Sequence, residues 1–83
     1  MITAFILLRV DYAHLTEIAE QIAVLDNVSE IYAVAGDEDL IAIVRGTSNE
    51  AVADVVTTKI AKIKGVTGCR TKIALRSYKP AKS

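Results

Sequence analysis

Tryptophan is absent, and cysteine, proline, histidine and phenylalanine occur once each. A single cysteine, Cys69, excludes an intrachain disulfide and leaves no cysteine-based metal cluster. Its place in an alternating stretch marks it as a small hydrophobe for the interior. The sole histidine, His14, has no histidine or cysteine partner for a metal and no nucleophile spaced to pair with it for catalysis. No cofactor is therefore expected. Net charge is lacking as well, because ten basic and ten acidic residues cancel. That balance argues against direct binding of nucleic acid. The one basic cluster, Arg70, Lys72, Arg76, Lys79 and Lys82, reads as a solvated face and tail. Long apolar runs are missing too. Met1–Leu8 is apolar, but no basic segment precedes it and Arg9 and Asp11 soon interrupt it, which excludes a signal peptide and a membrane span. The chain reads as cytoplasmic.

What the chain has in plenty is aliphatic residues. Of 83 residues, 52% are hydrophobic, enough length for one domain only. A domain of this size buries roughly 60% of its unfolded surface, so a monomer would be marginally stable. The apolar excess therefore points to self-association. We expect the domain to span residues 1–78, with 79–83 a short polar tail.

The first strand is expected over residues 3–10, with Ala4, Ile6, Leu8 and Val10 on one face and Phe5 and Leu7 on the other. A strand apolar on both faces is usually covered on both. Asp11 is the expected N-cap of a helix from Ala13 to Leu25, with Leu15, Ile18, Ile22 and Leu25 as its apolar stripe. The second strand is expected over Ser29–Ala35 and the third over Leu40–Arg45, which is also apolar on both sides through Leu40, Ala42, Val44 and Ile41, Ile43. Between them lies the turn Gly36-Asp37-Glu38-Asp39. Gly36 suits a positive φ there, and aspartates can bond turn amides. Thr47 and Glu50 have the spacing of a capping box for a second helix, expected to run to Lys64 with Gly65 as its C-cap. Val52, Val55, Val56, Ile60 and Ile63 form its stripe. Thr67–Tyr78 alternates cleanly and is expected as an outer strand.

The order βαββαβ predicts a ferredoxin-like α+β fold, built from two right-handed split βαβ units. The expected antiparallel sheet order is 4-1-3-2, with the doubly apolar strands at its centre. Both helices then cover one face, leaving Phe5, Leu7, Ile41 and Ile43, or else the alternating set, on the other. Burying four to six such residues contributes on the order of 6–12 kcal/mol to association, before entropic losses. A homodimer of the dimeric α/β-barrel type, packed sheet to sheet, is expected.

Ala4–Val10, Gly36-Asp37-Glu38-Asp39-Leu40, Ile60–Val66 and Thr71–Leu75 resemble the effector-binding domain of the Lrp/AsnC (feast/famine) transcriptional regulators, also called the RAM domain. The most specific match is Gly-Asp-x-Asp followed by Leu40. The resemblance implies dimers that assemble into octameric or decameric rings. It also implies an amino-acid effector bound between dimers near Gly36–Leu40, with Tyr32 and Thr71 at the pocket wall or rim. In that reading Asp37 and Asp39 accept from the ammonium group, and turn amides donate to the carboxylate without any cationic side chain. Full-length members carry a helix-turn-helix ahead of this domain. Here the chain opens directly on a strand after Met1, as expected either of a stand-alone version acting through assembly or through full-length relatives, or of an excised fragment. Many members have an aromatic residue where this chain has Glu38, a third carboxylate that would favour a cationic effector or weaken binding. The alternative is a small dimeric α+β-barrel enzyme of monooxygenase or isomerase type, which would need polar groups inside the barrel that this aliphatic sheet does not offer.

Overall fold

The computed structural model describes residues 1–79. These form β1 (Ile2–Val10), a 3-10 turn (Tyr12–His14), α1 (Leu15–Ala23), β2 (Val28–Ala33), β3 (Leu40–Gly46), α2 (Asn49–Asp54, continuing as a π-helical segment over Val55–Ile60) and β4 (Val66–Ile73). The sheet is antiparallel with order β2-β3-β1-β4, the expected order read from the other edge. The fold is ferredoxin-like α+β.

The period-two pattern of the central strands divides the sheet into two unlike faces. Ala4, Ile6, Leu8, Leu40, Ala42 and Val44 have no exposed surface and pack with Ile18 and Ile22 of α1 and with Val52, Val55, Val56 and Ile60 of the second helix. On the opposite face Phe5 stands across from Ile43, and Leu7 across from Ile41. Phe5 is 38% exposed and the other three are half-buried. This helix-free side is therefore apolar at its centre and open.

Several boundaries differ from the sequence reading. The first helix begins with a 3-10 turn, because His14 N–H donates to the Asp11 carbonyl at 2.9 Å while the Asp11 carboxylate takes the Ala13 N–H. It ends at Ala23 rather than Leu25; Asn27 instead bonds β3 through the Arg45 carbonyl and N–H. The second helix is capped by Ser48, whose Oγ accepts from Ala51 N–H at 3.1 Å, not by Thr47. Its regular part stops at Asp54, and the helix then widens to i→i+5 bonding and ends at Ile60 rather than Lys64. Ala61 N–H reaches the Val56 carbonyl at 2.8 Å. Thr57 and Thr58 hydroxyls donate to the Ala53 and Asp54 carbonyls, competing with the regular ladder in a run of β-branched residues.

Strand β4 ends at Ile73, not Tyr78. Ala74 N–H still donates to the Thr3 carbonyl, and the register then sets Leu75 opposite Ile2, the first residue of β1, so the chain from Arg76 on has passed the end of its partner strand. Leu75 and Tyr78 are exposed. Of the expected 79–83 tail, only Lys79 is among the described residues, and Lys82 lies outside them.

Candidate ligand-binding site at the hairpin tip

The β2–β3 hairpin closes with Val34 N–H donating to the Asp39 carbonyl at 3.0 Å. Gly36 takes φ +140, a conformation that side chains rarely adopt. Asp39 then fastens the tip to the neighbouring central strand. Its backbone N–H donates to the Leu8 carbonyl at 2.8 Å, and its Oδ2 accepts from Val10 N–H at 3.0 Å. Both bonds flank Arg9. The Asp39 carboxylate thus has a structural partner inside the chain, and its position is set by β1.

The tip and the ends of β1 and β4 enclose a cleft of about 330 Å3. Leu7 and Arg9 come from β1, Asp37 and Glu38 from the tip, and Gly68, Cys69 and Arg70 from β4. Volumes from about 300 Å3 upwards are typical of small-molecule sites. Glu38 Oε2 accepts from Arg70 Nη2 in an ion pair across the cleft. The Glu38 side chain is 15% exposed and that of Arg70 65%. Burial pushes the Cys69 thiol up from its ordinary range, so it behaves as a protonated, half-buried wall residue rather than a thiolate.

Of the residues singled out in the sequence, the structure brings Asp37 and Glu38 into this cleft. Gly36 sets the turn, Asp39 ties it down, and Leu40 is fully buried in the helix-side core, so its side chain faces away from any ligand at the tip. Tyr32 and Thr71 are not brought there. Tyr32 lies opposite Ile41 on the open face, its hydroxyl donating to Glu30 Oε1, which also raises its pKa. Thr71 lies opposite Ile6 and so belongs to the other face. The cleft residues the sequence reading missed are Leu7, which it gave to the dimer interface, Cys69, which it gave to the interior, and Arg9, Gly68 and Arg70. Arg70 was visible only as part of a basic cluster, and nothing in the chain's order announces its partner 32 positions away.

A second cleft, of about 410 Å3, lies between the start of α1 and Gly65. His14 Nδ1 stands 3.0 Å from Asp11 Oδ2 there, both side chains being exposed. Among the described residues no group of three or more His, Cys, Asp or Glu is placed to hold a metal ion, and no helix is long and apolar enough to cross a membrane.

Residues 3–83 match the Lrp/AsnC ligand binding domain. The chain belongs to this family. It is similar to TTHA0845 of Thermus thermophilus, whose crystal structure superimposes with a TM-score of 0.91 at 41% identity, over 96% of this chain and 100% of that one. This Lrp/AsnC domain is also 45% identical, over 77% of its length, to PF0250 of Pyrococcus furiosus, an uncharacterized HTH-type transcriptional regulator. The match takes in 45% of PF0250, so the chain spans about half the length of the curated relatives it matches. The feast or famine regulatory protein Rv3291c of M. tuberculosis, complexed with L-methionine, shares the Lrp/AsnC domain fold at 23% identity, with a TM-score of 0.83 over 100% of this chain and 56% of that one.

Proposed function

We propose that this domain is an amino-acid-sensing, self-associating regulatory module that acts in transcriptional control. Two copies pair through the helix-free face of the sheet, and higher assembly brings the hairpin tips to the seams between pairs. The observation that carries the sensing role is the cleft at the tip, which places carboxylates and guanidinium groups around about 330 Å3, a combination suited to a small zwitterion. Membership of a ligand-binding domain family supports the reading, as does the methionine held by a protein of the same fold.

Isothermal calorimetry of the protein against the standard amino acids tests the role. Saturable heat with at least one of them is expected, and no heat with any of them refutes it. Native mass measurement with and without that amino acid then reports whether binding changes assembly. The relatives named as HTH-type regulators suggest mixed oligomers with full-length family members. Co-purification from cell extract is expected to recover such a regulator.

A further inference from the structure

The three carboxylates of the hairpin tip have different surroundings, and the difference bears on which amino acids fit. Asp39 accepts from Val10 N–H. Glu38, at 15% exposure, is paired with Arg70. Asp37 is exposed and, among the described residues, lies within ion-pair distance of no basic group. On the other side of the same cleft Arg9 is likewise exposed and within ion-pair distance of no carboxylate among the described residues. The cleft therefore presents one anion and one cation not already committed to each other, together with one pair that neutralises itself.

The backbone around Arg9 is specialised. Register between β1 and β4 slips between Arg9 and Val10, so that Arg9 faces Gly68 while Val10 faces Val66, and Thr67 is the extra residue. Such bulges redirect side chains and are frequent beside binding sites. Gly68 has no side chain to fill the space: a Cβ there would stand 3.4 Å from Arg9 Cβ and 3.7 Å from its Cγ and Cδ. The arginine stem thus lies across Gly68, bordering the cleft.

We infer that Arg9 holds the α-carboxylate of the effector and Asp37 its ammonium, and that the Glu38–Arg70 pair restricts the cleft to amino acids with uncharged side chains. This assignment rests on the amino-acid-sensing role proposed above. A guanidinium is the side chain best shaped for a carboxylate, which it can grip through two parallel bonds. A lysine or arginine effector would have to displace Arg70 to reach Glu38, and an aspartate or glutamate effector would have to displace Glu38 to reach Arg70. Either exchange breaks a pair whose carboxylate is largely buried. Glu38 therefore does not recruit a cationic effector, as its charge alone had suggested.

Calorimetry on the full chain with leucine, methionine, lysine and glutamate tests this, with circular dichroism confirming that each variant is folded. In the unaltered protein an uncharged amino acid is expected to bind at least about tenfold more tightly than lysine or glutamate. Arg9→Gln is expected to weaken the best ligand by about tenfold or more, and leucinamide, which lacks the carboxylate, to bind equally poorly to both forms. Arg70→Gln, which leaves Glu38 unpaired, shifts preference toward lysine. Glu38→Gln, which leaves Arg70 unpaired, shifts it toward glutamate. Opposite shifts from the two partners of one ion pair are not produced by a general loosening of the fold. If amino acids bind but Arg9→Gln is silent, if lysine or glutamate is the best ligand of the unaltered protein, or if the two pair variants shift preference the same way or not at all, this assignment fails and amino-acid sensing stands. If no amino acid binds, both fail.

Discussion

Asp39 makes two bonds to β1, through its backbone N–H to the Leu8 carbonyl and through Oδ2 to the Val10 N–H. The second is part-buried, so removing the carboxylate leaves a backbone donor without its acceptor. Asp39→Ala is expected to lower stability by about 1–2 kcal/mol, which for a domain of this size is a fall in melting temperature of roughly 4–8 °C per kcal/mol. Asp39→Asn, which keeps an acceptor, loses less. A thermal melt of the three proteins checks this. Asp11 offers a test by pH. Its bond to His14, then its bond from Ala13 N–H, hold its carboxyl below the ordinary value of 3.8. A carboxyl depressed in the folded state stabilises the fold at pH above its unfolded value and loses that contribution as pH falls through its folded value. Urea unfolding at pH 6 and pH 3 is therefore expected to show a larger loss for the unaltered protein than for Asp11→Asn, which cannot titrate there.

At the scale of elements, the long periodic segments were readable and their ends were not. Of the stripes expected from spacing, Ile18, Ile22, Val52, Val55, Val56 and Ile60 are buried, while Leu15, Leu25 and Ile63 at their ends are half-buried against the core. The caps depend on one-residue choices that two neighbouring hydroxyls make equally plausible: Thr47 has the capping-box spacing, yet Ser48 bonds Ala51. Ser48→Ala is accordingly expected to cost about 1 kcal/mol by chemical denaturation, and Thr47→Ala less than about 0.5 kcal/mol. The π-helical segment and the short β4 were illegible for other reasons. β4 is set by a partner distant in sequence, the start of β1, and the π-helical segment by Thr57 and Thr58 hydroxyls that bond the Ala53 and Asp54 carbonyls, a local choice that spacing does not announce. Gly65, expected as the helix C-cap, does not end the helix, which is capped by Ala61; it sits in the turn into β4 instead. It has φ +99, its carbonyl accepts from Asp11 N–H at 2.7 Å, and an added Cβ would sit 2.7 Å from Ile18 Cδ1. Gly65→Ala combines backbone strain with a clash against the core and is expected to destabilise by about 1–3 kcal/mol in the same assay.

Across the whole molecule, the ferredoxin-like arrangement was legible because β1 and β3 are apolar on both sides, which only the centre of a sheet tolerates. The phase was not fixed by strands apolar on both sides; the structure sets Phe5, Leu7, Ile41 and Ile43 on the face away from the helices. The cleft was less legible than the fold. Its acidic half is contiguous in sequence at Asp37–Glu38, whereas its basic half is assembled from Arg9 and Arg70, which strand pairing alone brings together across β1 and β4. The open face carries the prediction of widest reach. Ile43→Asp places a charge at its centre without touching the helix-side core. Sedimentation is expected to show a monomer for this variant and a dimer for the unaltered chain. The melting temperature of the unaltered chain should rise with protein concentration, as for any fold stabilised by pairing, and that of the variant should not.

The two bonds from Asp39 bracket Arg9, one on either side of it along the strand. In the reading proposed above, anchoring falls to Asp39 and the hold on a ligand to Asp37 of the same short loop. Position 37, which has no ion-pair partner among the described residues, can be exchanged for other chemistries while the Asp39 bonds keep the loop in place. A substitution at 39 would spoil the grip from behind, mimicking the loss of a contact that was never made.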